Sequence, residues 1–557
     1  MKVKEALLQQ LVVDGLSVIF GNPGSTEEGL IDVVGRNGAI NYVLGLQEAS
    51  VVAMADGWAR VTRRPAIVQL HSAVGLGNGI GVLYEAYRSH TPLVVVAGET
   101  YSDLQAFDGF LACDLTEIAK PVTKLSCRVT HGSQMLRILR RAIKVASTYP
   151  KGPVFMALPM DVLEEEVDAR ISPTNFLSPV GPCSDGQAEE IARRLVNAKS
   201  PMLLVGDGVA AADAQPELCE LADLLACPIW GVEFNDLSVS FTDSLFLGTI
   251  GHSFGEATRV IVREADAILA IGTPLFPELF PSREEYFSPG CSLMQIDFDP
   301  WEIAKNFPVH LGLQANPKSS LGRVIAIIKK LVDCHRDEIE ARRAIVIARR
   351  KDARKKNQER FDAIPDTQTE MAPGTMMRTI VEELPKDCLI YDESITSTPA
   401  LLHYLQPSVP GSYILARGGC IGVGWPGAVG ASFAKPEKTV LALSADGSAI
   451  FGLQSLWTAA RYRRKVIFVV CNNRAYRILK VNLLQYWREN NIPRGVFPFM
   501  DLDDPNIEFA QLAHGFGIPA RKVVSAEELR SELRLAFARE GPSLIDVSTN
   551  GSVTNEM

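Results

Sequence analysis

The sequence predicts an α/β fold built on parallel sheets, and three observations predict it. Short apolar runs rich in β-branched residues recur along the chain. Gly or Pro bounds most of these runs. A stretch with helical length and pattern follows each one. Strands that are apolar nearly throughout, rather than alternating, belong to parallel sheets covered on both faces. In chain order the runs are PAIVQLHS (65–72), TPLVVVAGE (91–99), GPVFMALP (152–159), SPMLLVGDG (200–208), ADAILAIG (265–272), DCLIYDES (387–394), KTVLALSADG (438–447) and KVIFVVCNN (465–473).

Two stretches divide these runs. ISPTNFLSPVGPCSDGQ (171–187) is rich in Pro, Ser and Gly and reads as a linker. Residues 335–360 predict a charged, mostly solvated helix, which AIPDTQTEMAPG then breaks. The expectation is three doubly wound parallel-sheet domains over 1–180, 181–345 and 370–557, with 346–369 as a linker. A chain of 557 residues is too long for a single core.

Composition excludes several function classes. Apolar content of 47% with 22% charged residues is that of a soluble globular protein. Lys and Arg total 56 against 65 Asp and Glu, a net charge of −9, which argues against a polyanionic partner. No basic run carries interleaved aromatics, so nucleic acid is not expected as a partner. The start of the chain lacks a signal-peptide pattern, and no run of about eighteen apolar residues predicts a membrane span. The ten cysteines are scattered without a C-x-x-C pair. That argues against structural zinc or a disulfide framework and predicts reduced thiols in a cytoplasmic enzyme.

The most informative stretch is ALSADGSAIFGLQSLWTAARYRRKVIFVVCNNRAY (442–476). One strand ends in Asp446-Gly447-Ser448, a helix follows, and a second strand ends in Asn472-Asn473. Asp446 and Asn473 stand 27 residues apart, the length of one strand–helix–strand unit. Both fall at carboxyl ends of parallel strands, where such sheets bind ligands. A carboxylate and an amide oxygen are hard donors suited to Mg2+, which also takes phosphate oxygens. Gly447 lets backbone approach a phosphate, and Ser448 opens a helix whose N-terminus favours anions.

This stretch resembles the cofactor motif of thiamine-diphosphate enzymes, G-D-G followed some two dozen residues later by N-N, with Ala445 in place of the first Gly. The resemblance covers almost the whole chain and is weakest over 181–345. It implies that Asp446, Asn473 and the main-chain carbonyl of Ala475 hold Mg2+ against the diphosphate. Ser448, Tyr476 and Thr396 would add diphosphate contacts, and Asn22, Gly24 and Ile478 complete the implied cofactor contacts. In RGGCIGVGWPGA (417–428), the Gly419 carbonyl would accept from the pyrimidine and Ile421 would prop the cofactor into its bent shape.

In LGLQEASVVAMADGWAR (44–60), a single carboxylate, Glu48, stands among apolar and small residues. A buried Glu is costly unless paired or kept neutral. The resemblance implies its purpose: a protonated Glu48 donates to the aminopyrimidine ring and thereby promotes formation of the ylid.

Within the family the chain looks most like benzoylformate decarboxylases, with acetohydroxyacid synthases as the alternative. Ser25, after the NPG turn, would bind the substrate carboxylate, and His71, at a strand end, would transfer protons. The synthases usually read GYPGG and TSGPGATN at these places. One departure stands out. The decarboxylase has a second histidine in a middle-domain loop, whereas IGTPLFPELFPSREEYF (271–287) has none, and Leu279 stands there between Glu278 and Phe280. Ile478 and Asn482 likewise replace a small and an aromatic residue. These departures leave carboligation with an aldehyde or a second 2-oxo acid open beside decarboxylation of a small 2-oxo acid. LLVGDGVAAADA (203–214) has the form of a nucleotide-binding turn but lacks its third Gly and acidic partner. It reads as architecture, with FAD or an adenine nucleotide the alternative. The resemblance also implies a homodimer or homotetramer with sites shared between subunits.

Overall fold

The computed structural model describes residues 1–177, 180–233 and 235–553. Three six-stranded parallel sheets organise it. The first holds β1 (Val18–Gly21), β2 (Asn41–Leu44), β3 (Ala66–Leu70), β4 (Leu93–Glu99), β5 (Ser126–Arg128) and β6 (Val154–Pro159), in the order β2-β1-β3-β4-β6-β5. The second holds β7 (Pro201–Val205), β8 (Ile229–Val232), β9 (Phe246–Ile250), β10 (Ala267–Ile271), β11 (Ser292–Asp297) and β12 (Leu311–Gln314), in the order β12-β11-β10-β7-β8-β9. The third holds β13 (Leu389–Glu393), β14 (Tyr413–Leu415), β15 (Val440–Ala445), β16 (Val466–Asn472), β17 (Ala520–Val523) and β18 (Ser543–Ser548), in the order β14-β13-β15-β16-β18-β17. All eight apolar runs of the sequence are strands, and every residue of β3, β4, β6, β7, β10, β13 and β16 is buried. Helices on both faces of each sheet account for that burial.

The first and third sheets share one topology: numbering each from its own first strand yields the same order. In both, connections turn from one side of the sheet to the other beside the first strand. Open α/β sheets bind ligands outside the carboxyl ends of strands at such a point. The second sheet has the strand order of dinucleotide-binding folds, with its switch between β7 and β10. There a Cβ on Gly208 would overlap Gly272, and one on Gly206 would lie 2.7 Å from Thr273. The glycines of LLVGDGVAAADA are thus engaged in packing two strand-end turns against each other.

The chain forms two compact units, 1–177 with 364–401 and 416–557, and 178–363 with 402–415. In the second unit, the helix Arg336–Asp362 buries only Ile339 and Val346. Its arginines do more than face water. Arg342 donates to the Leu225 and Ala198 carbonyls, and Arg350 donates to those of Phe241 and Phe246.

In the first unit, the helix Glu48–Thr62 packs on the helix Gly424–Ala434 with almost no side chain between them. A Cβ on Gly57 would overlap the Gly427 carbonyl, and one on Gly430 would overlap the Met54 carbonyl. The second helix is buried from Gly424 through Ser432, as expected of a helix apolar all round. Tyr462 extends the contact, accepting from the Leu44 N–H and donating to the Tyr42 carbonyl. Because backbone meets backbone, Gly430→Ala should cost about 3 kcal/mol, the upper part of the usual overpacking range. Thermal or denaturant unfolding would measure the loss, and a value near zero would contradict this packing.

Candidate active site

The strand ends of the first sheet carry one group of polar residues. Glu48 is the first residue of its helix, directly after β2, and is 8% exposed. Its neighbours along the chain are apolar, but its carboxylate is not in an apolar pocket. Oε1 accepts from the Asn22 amide at 3.1 Å and Oε2 from the Asn78 amide at 3.0 Å. This corrects the apolar setting that the local sequence suggested. Asn78 comes from the next helix, Ser72–Arg88, and no short-range pattern pointed to it.

His71 caps that helix at the end of β3. Its Nδ1 lies 3.0 Å from Glu27 Oε2 and 3.1 Å from Thr26 Oγ1. Glu27 is 2% exposed, and no feature of the local sequence marks it. Its Oε2 also accepts from the Gly24 N–H at 3.0 Å. Its Oε1 accepts from the Gly98 N–H and the Thr26 hydroxyl, both at 2.7 Å. With the Thr26 proton given to Glu27, the His71 Nδ1 donates its proton to the carboxylate and Nε2 remains the basic nitrogen. Gly24 is fixed by this ring, since a Cβ there would overlap it. Glu48 and His71 are close neighbours: a Cβ on Gly75 would lie 3.2 Å from Glu48 Oε1 and 3.3 Å from His71 Cβ. Ser25 opens a short 3-10 turn on the same loop and is exposed.

The third sheet carries the second group. Asp446 follows β15 and is 1% exposed. Its Oδ1 accepts from the Gly447 N–H at 2.9 Å and its Oδ2 from the Ala475 N–H at 3.2 Å. Burial pushes its carboxyl up to about 6, against the pull of those backbone donors. Asn473 follows β16, is 8% exposed, and accepts from the same Ala475 N–H at 3.1 Å. The Ala475 carbonyl already accepts from the Arg477 N–H at 2.8 Å, which leaves its second lone pair. Asp446 and Asn473 thus converge on the Ala475 N–H. A buried carboxylate with an amide oxygen and a carbonyl is a donor set that fits Mg2+.

Ala445 has φ −67° and ψ 152°, extended backbone that needs no glycine. That accounts for its place in the motif. Gly447 is needed for a different reason: a Cβ there would lie 2.6 Å from the Tyr476 ring. The helix expected after Asp446 is broken into Asp446–Ala449, a 3-10 turn Ile450–Gly452, and Ser455–Arg461. A Cβ on Gly452, at the end of that turn, would lie 2.7 Å from the Gly422 carbonyl. Ser448 is buried, Thr396 sits in a 3-10 turn after β13, and Tyr476 is half-buried. Gly419 has φ 94°, in the region that favours glycine. Ile421 and Ile478 are 38% and 37% exposed.

Among the described residues, no hydrogen bond joins the Glu48 group to the Asp446 group. In the second unit, Leu279 is 66% exposed, and its N–H donates to the carbonyl of His252 at 3.3 Å. Glu278 beside it is buried and accepts from the Tyr286 hydroxyl. The loop itself has no histidine; the contact to His252, 27 residues before Leu279, is between main-chain groups.

Three family models match the chain. They are the N-terminal TPP binding domain of thiamine pyrophosphate enzymes over 1–118, the central domain over 188–324 and the C-terminal TPP binding domain over 395–547. A benzoylformate decarboxylase of Pseudomonas aeruginosa is 30% identical over 542 residues, covering 96% of both chains. An acetolactate synthase large subunit of Haemophilus influenzae is 27% identical, covering 96% of this chain and 92% of its own. Among solved structures, a thiamine diphosphate-dependent 4-hydroxybenzoylformate decarboxylase of Rhodococcus jostii RHA1 superposes with a TM-score of 0.83 at 28% identity, covering 99% of each chain.

The Glu27–His71 geometry makes a direct prediction. In protein with 15N-labelled histidine, the neutral His71 ring should carry its proton on Nδ1, facing Glu27. Glu27→Gln should shift that tautomer balance. A wild-type ring protonated on Nε2 would contradict the assigned hydrogen bond.

Proposed function

The chain belongs to the thiamine pyrophosphate enzyme family, and from that premise we propose that it is a magnesium-dependent decarboxylase of a 2-oxo acid, of the benzoylformate decarboxylase kind. The observation that carries this reading is the Glu27–His71 pair standing beside Glu48. When bound, thiamine diphosphate supplies the carbon nucleophile and the electron sink for loss of carbon dioxide. Asp446, Asn473 and the Ala475 carbonyl would hold Mg2+ against its diphosphate, with Thr396, Ser448 and Tyr476 as further contacts. The Glu48 carboxyl would give a proton to the aminopyrimidine ring, and Asn22 and Asn78 hold that carboxyl in place. The Gly419 carbonyl would accept from the ring's amino group. Ser25 would bind the substrate carboxylate. His71, its ring fixed by Glu27, would move protons at Nε2.

A specific observation favours a second activity. The loop 271–287 presents an exposed Leu279 where the decarboxylase pattern calls for a histidine. A chain with one acid–base side chain fewer for the closing proton transfer would favour reaction with a second carbonyl compound. Carboligation of the acetolactate synthase type is the alternative on this ground. The test is product analysis with pyruvate, benzoylformate and phenylpyruvate, each with and without an aldehyde acceptor. Aldehyde release from an aryl 2-oxo acid supports the decarboxylase. Hydroxyketone or acetolactate as the main product supports the ligase, and no turnover of any 2-oxo acid would sink both.

A shared site between two chains is part of the proposal. The Glu48 and Asp446 groups make no direct bond within one chain, and the first unit exposes apolar side chains at Val74, Tyr84, Tyr87, Phe107 and Phe110. Exposed apolar surface of this kind supports association with a second copy. Glu48→Gln should keep cofactor binding yet lose roughly two to four orders of magnitude in rate, as for a lost acid–base group. Asp446→Ala should lose magnesium-dependent cofactor binding in calorimetry. Mixing the two inactive variants with subunit exchange should restore about a quarter of wild-type sites, because random pairing makes about half the dimers mixed and each mixed dimer holds one intact site. Exchange confirmed by mass spectrometry without any return of activity would refute the shared site.

A further inference from the structure

Two buried carboxylates outside the groups described so far converge on one loop. Glu85 lies on the helix Ser72–Arg88, and Glu393 is the last residue of β13. Each is 1% exposed. Glu85 Oε1 accepts the N–H groups of Arg417 at 2.9 Å and Gly418 at 2.7 Å, and its Oε2 accepts that of Cys420 at 3.2 Å. Glu393 Oε1 accepts those of Gly422 at 2.7 Å and Val423 at 3.3 Å, and its Oε2 accepts that of Gly424 at 2.8 Å. Space is tight as well. A Cβ on Gly418 would lie 2.5 Å from the Glu85 carboxylate, and one on Gly424 would lie 2.6 Å from Glu393.

Within 417–424, the two residues whose N–H groups these carboxylates do not take are Gly419 and Ile421. Those are the two proposed to touch the cofactor. Both are exposed, and Gly419 holds φ 94°. Capping of the helix Gly424–Ala434 explains only part of this arrangement. Glu393 does cap it, but Glu85 comes from a different helix and binds the chain before the helix begins. Burying two like charges this close is costly, and burial with Glu85 nearby pushes the Glu393 carboxyl up to about 7. Charge-assisted bonds from six N–H groups offset that cost.

We infer that Glu85 and Glu393 are positioning residues that hold 417–424 in its cofactor-ready shape, presenting the Gly419 carbonyl and the Ile421 side chain before any cofactor binds. This rests on the cofactor contacts given under Proposed function. Neither carboxylate is among the proposed cofactor contacts; each acts through the loop.

The test uses the full chain with Glu85→Gln and Glu393→Gln, which keep size but set an NH2 group against backbone donors. Amide hydrogen exchange of the cofactor-free protein should accelerate about tenfold or more over 417–420 in the first variant and over 422–424 in the second, as expected for lost charged hydrogen bonds. In the same samples the dissociation constant for thiamine diphosphate with Mg2+ should rise about tenfold, and exchange of the thiazolium proton should slow. Should a Gln variant fail to fold, the matching Glu→Asp variant, one methylene shorter, is read in the same way. Faster loop exchange with wild-type cofactor affinity and wild-type thiazolium exchange would reduce both residues to structural ones and overturn the inference. So would loop exchange that does not change. Cofactor binding absent from the wild-type protein would sink the cofactor reading and this inference together, whereas unaltered variants sink the inference alone.

Discussion

The main-chain contact between the helices Glu48–Thr62 and Gly424–Ala434 is the constraint on which the rest of the first unit depends. Gly57 and Gly430 leave no room for a side chain between the two backbones. The first helix begins at Glu48 itself, and the second begins where Glu393 caps it. Fixing one helix on the other therefore fixes two strand-end loops, one from each sheet. A softer interface with long side chains would let the loops drift by more than a hydrogen bond tolerates. Backbone contact does not, because protein interiors are close-packed and carbonyl groups cannot rotate away.

On this frame the molecule repeats one solution to one problem. A loop at a switch point must keep a defined shape while staying open to a ligand, so its N–H groups need partners that do not fill the opening. Buried carboxylates provide them from behind. Glu27 takes the N–H groups of Gly24 and Gly98 and orients His71. Glu85 and Glu393 take six more from 417–424. Each such carboxylate would be destabilising alone, and each is compensated by several charge-assisted bonds. The two sheets share a strand order, and their loops share this mode of support.

The middle sheet makes the contrast. It has the strand order of a dinucleotide-binding fold, yet at its switch point the turns after β7 and β10 pack on each other through Gly206, Gly208 and Gly272. In this turn the glycines serve the packing of one strand-end loop on another.

What the sequence alone determined was local. Apolar runs, most of them bounded by Gly or Pro, marked the strands, because burial on both faces of a parallel sheet writes itself into consecutive residues. Asp446 and Asn473 were legible because one strand–helix–strand unit separates them, and the topology of such a unit puts both at strand ends. Glu48 was legible as a carboxylate out of keeping with its neighbours. Only the tertiary structure decided what holds these groups. His71 meets Glu27 across 44 residues, Glu48 meets Asn78 across 30, and Gly418 meets Glu85 across 333. Nothing in the composition around Glu27, Glu85 or Glu393 distinguishes a buried carboxylate from a solvated one. That difference arises when the sheets stack and water is excluded, since hydrogen-bond partners are chosen by contact and not by distance along the chain.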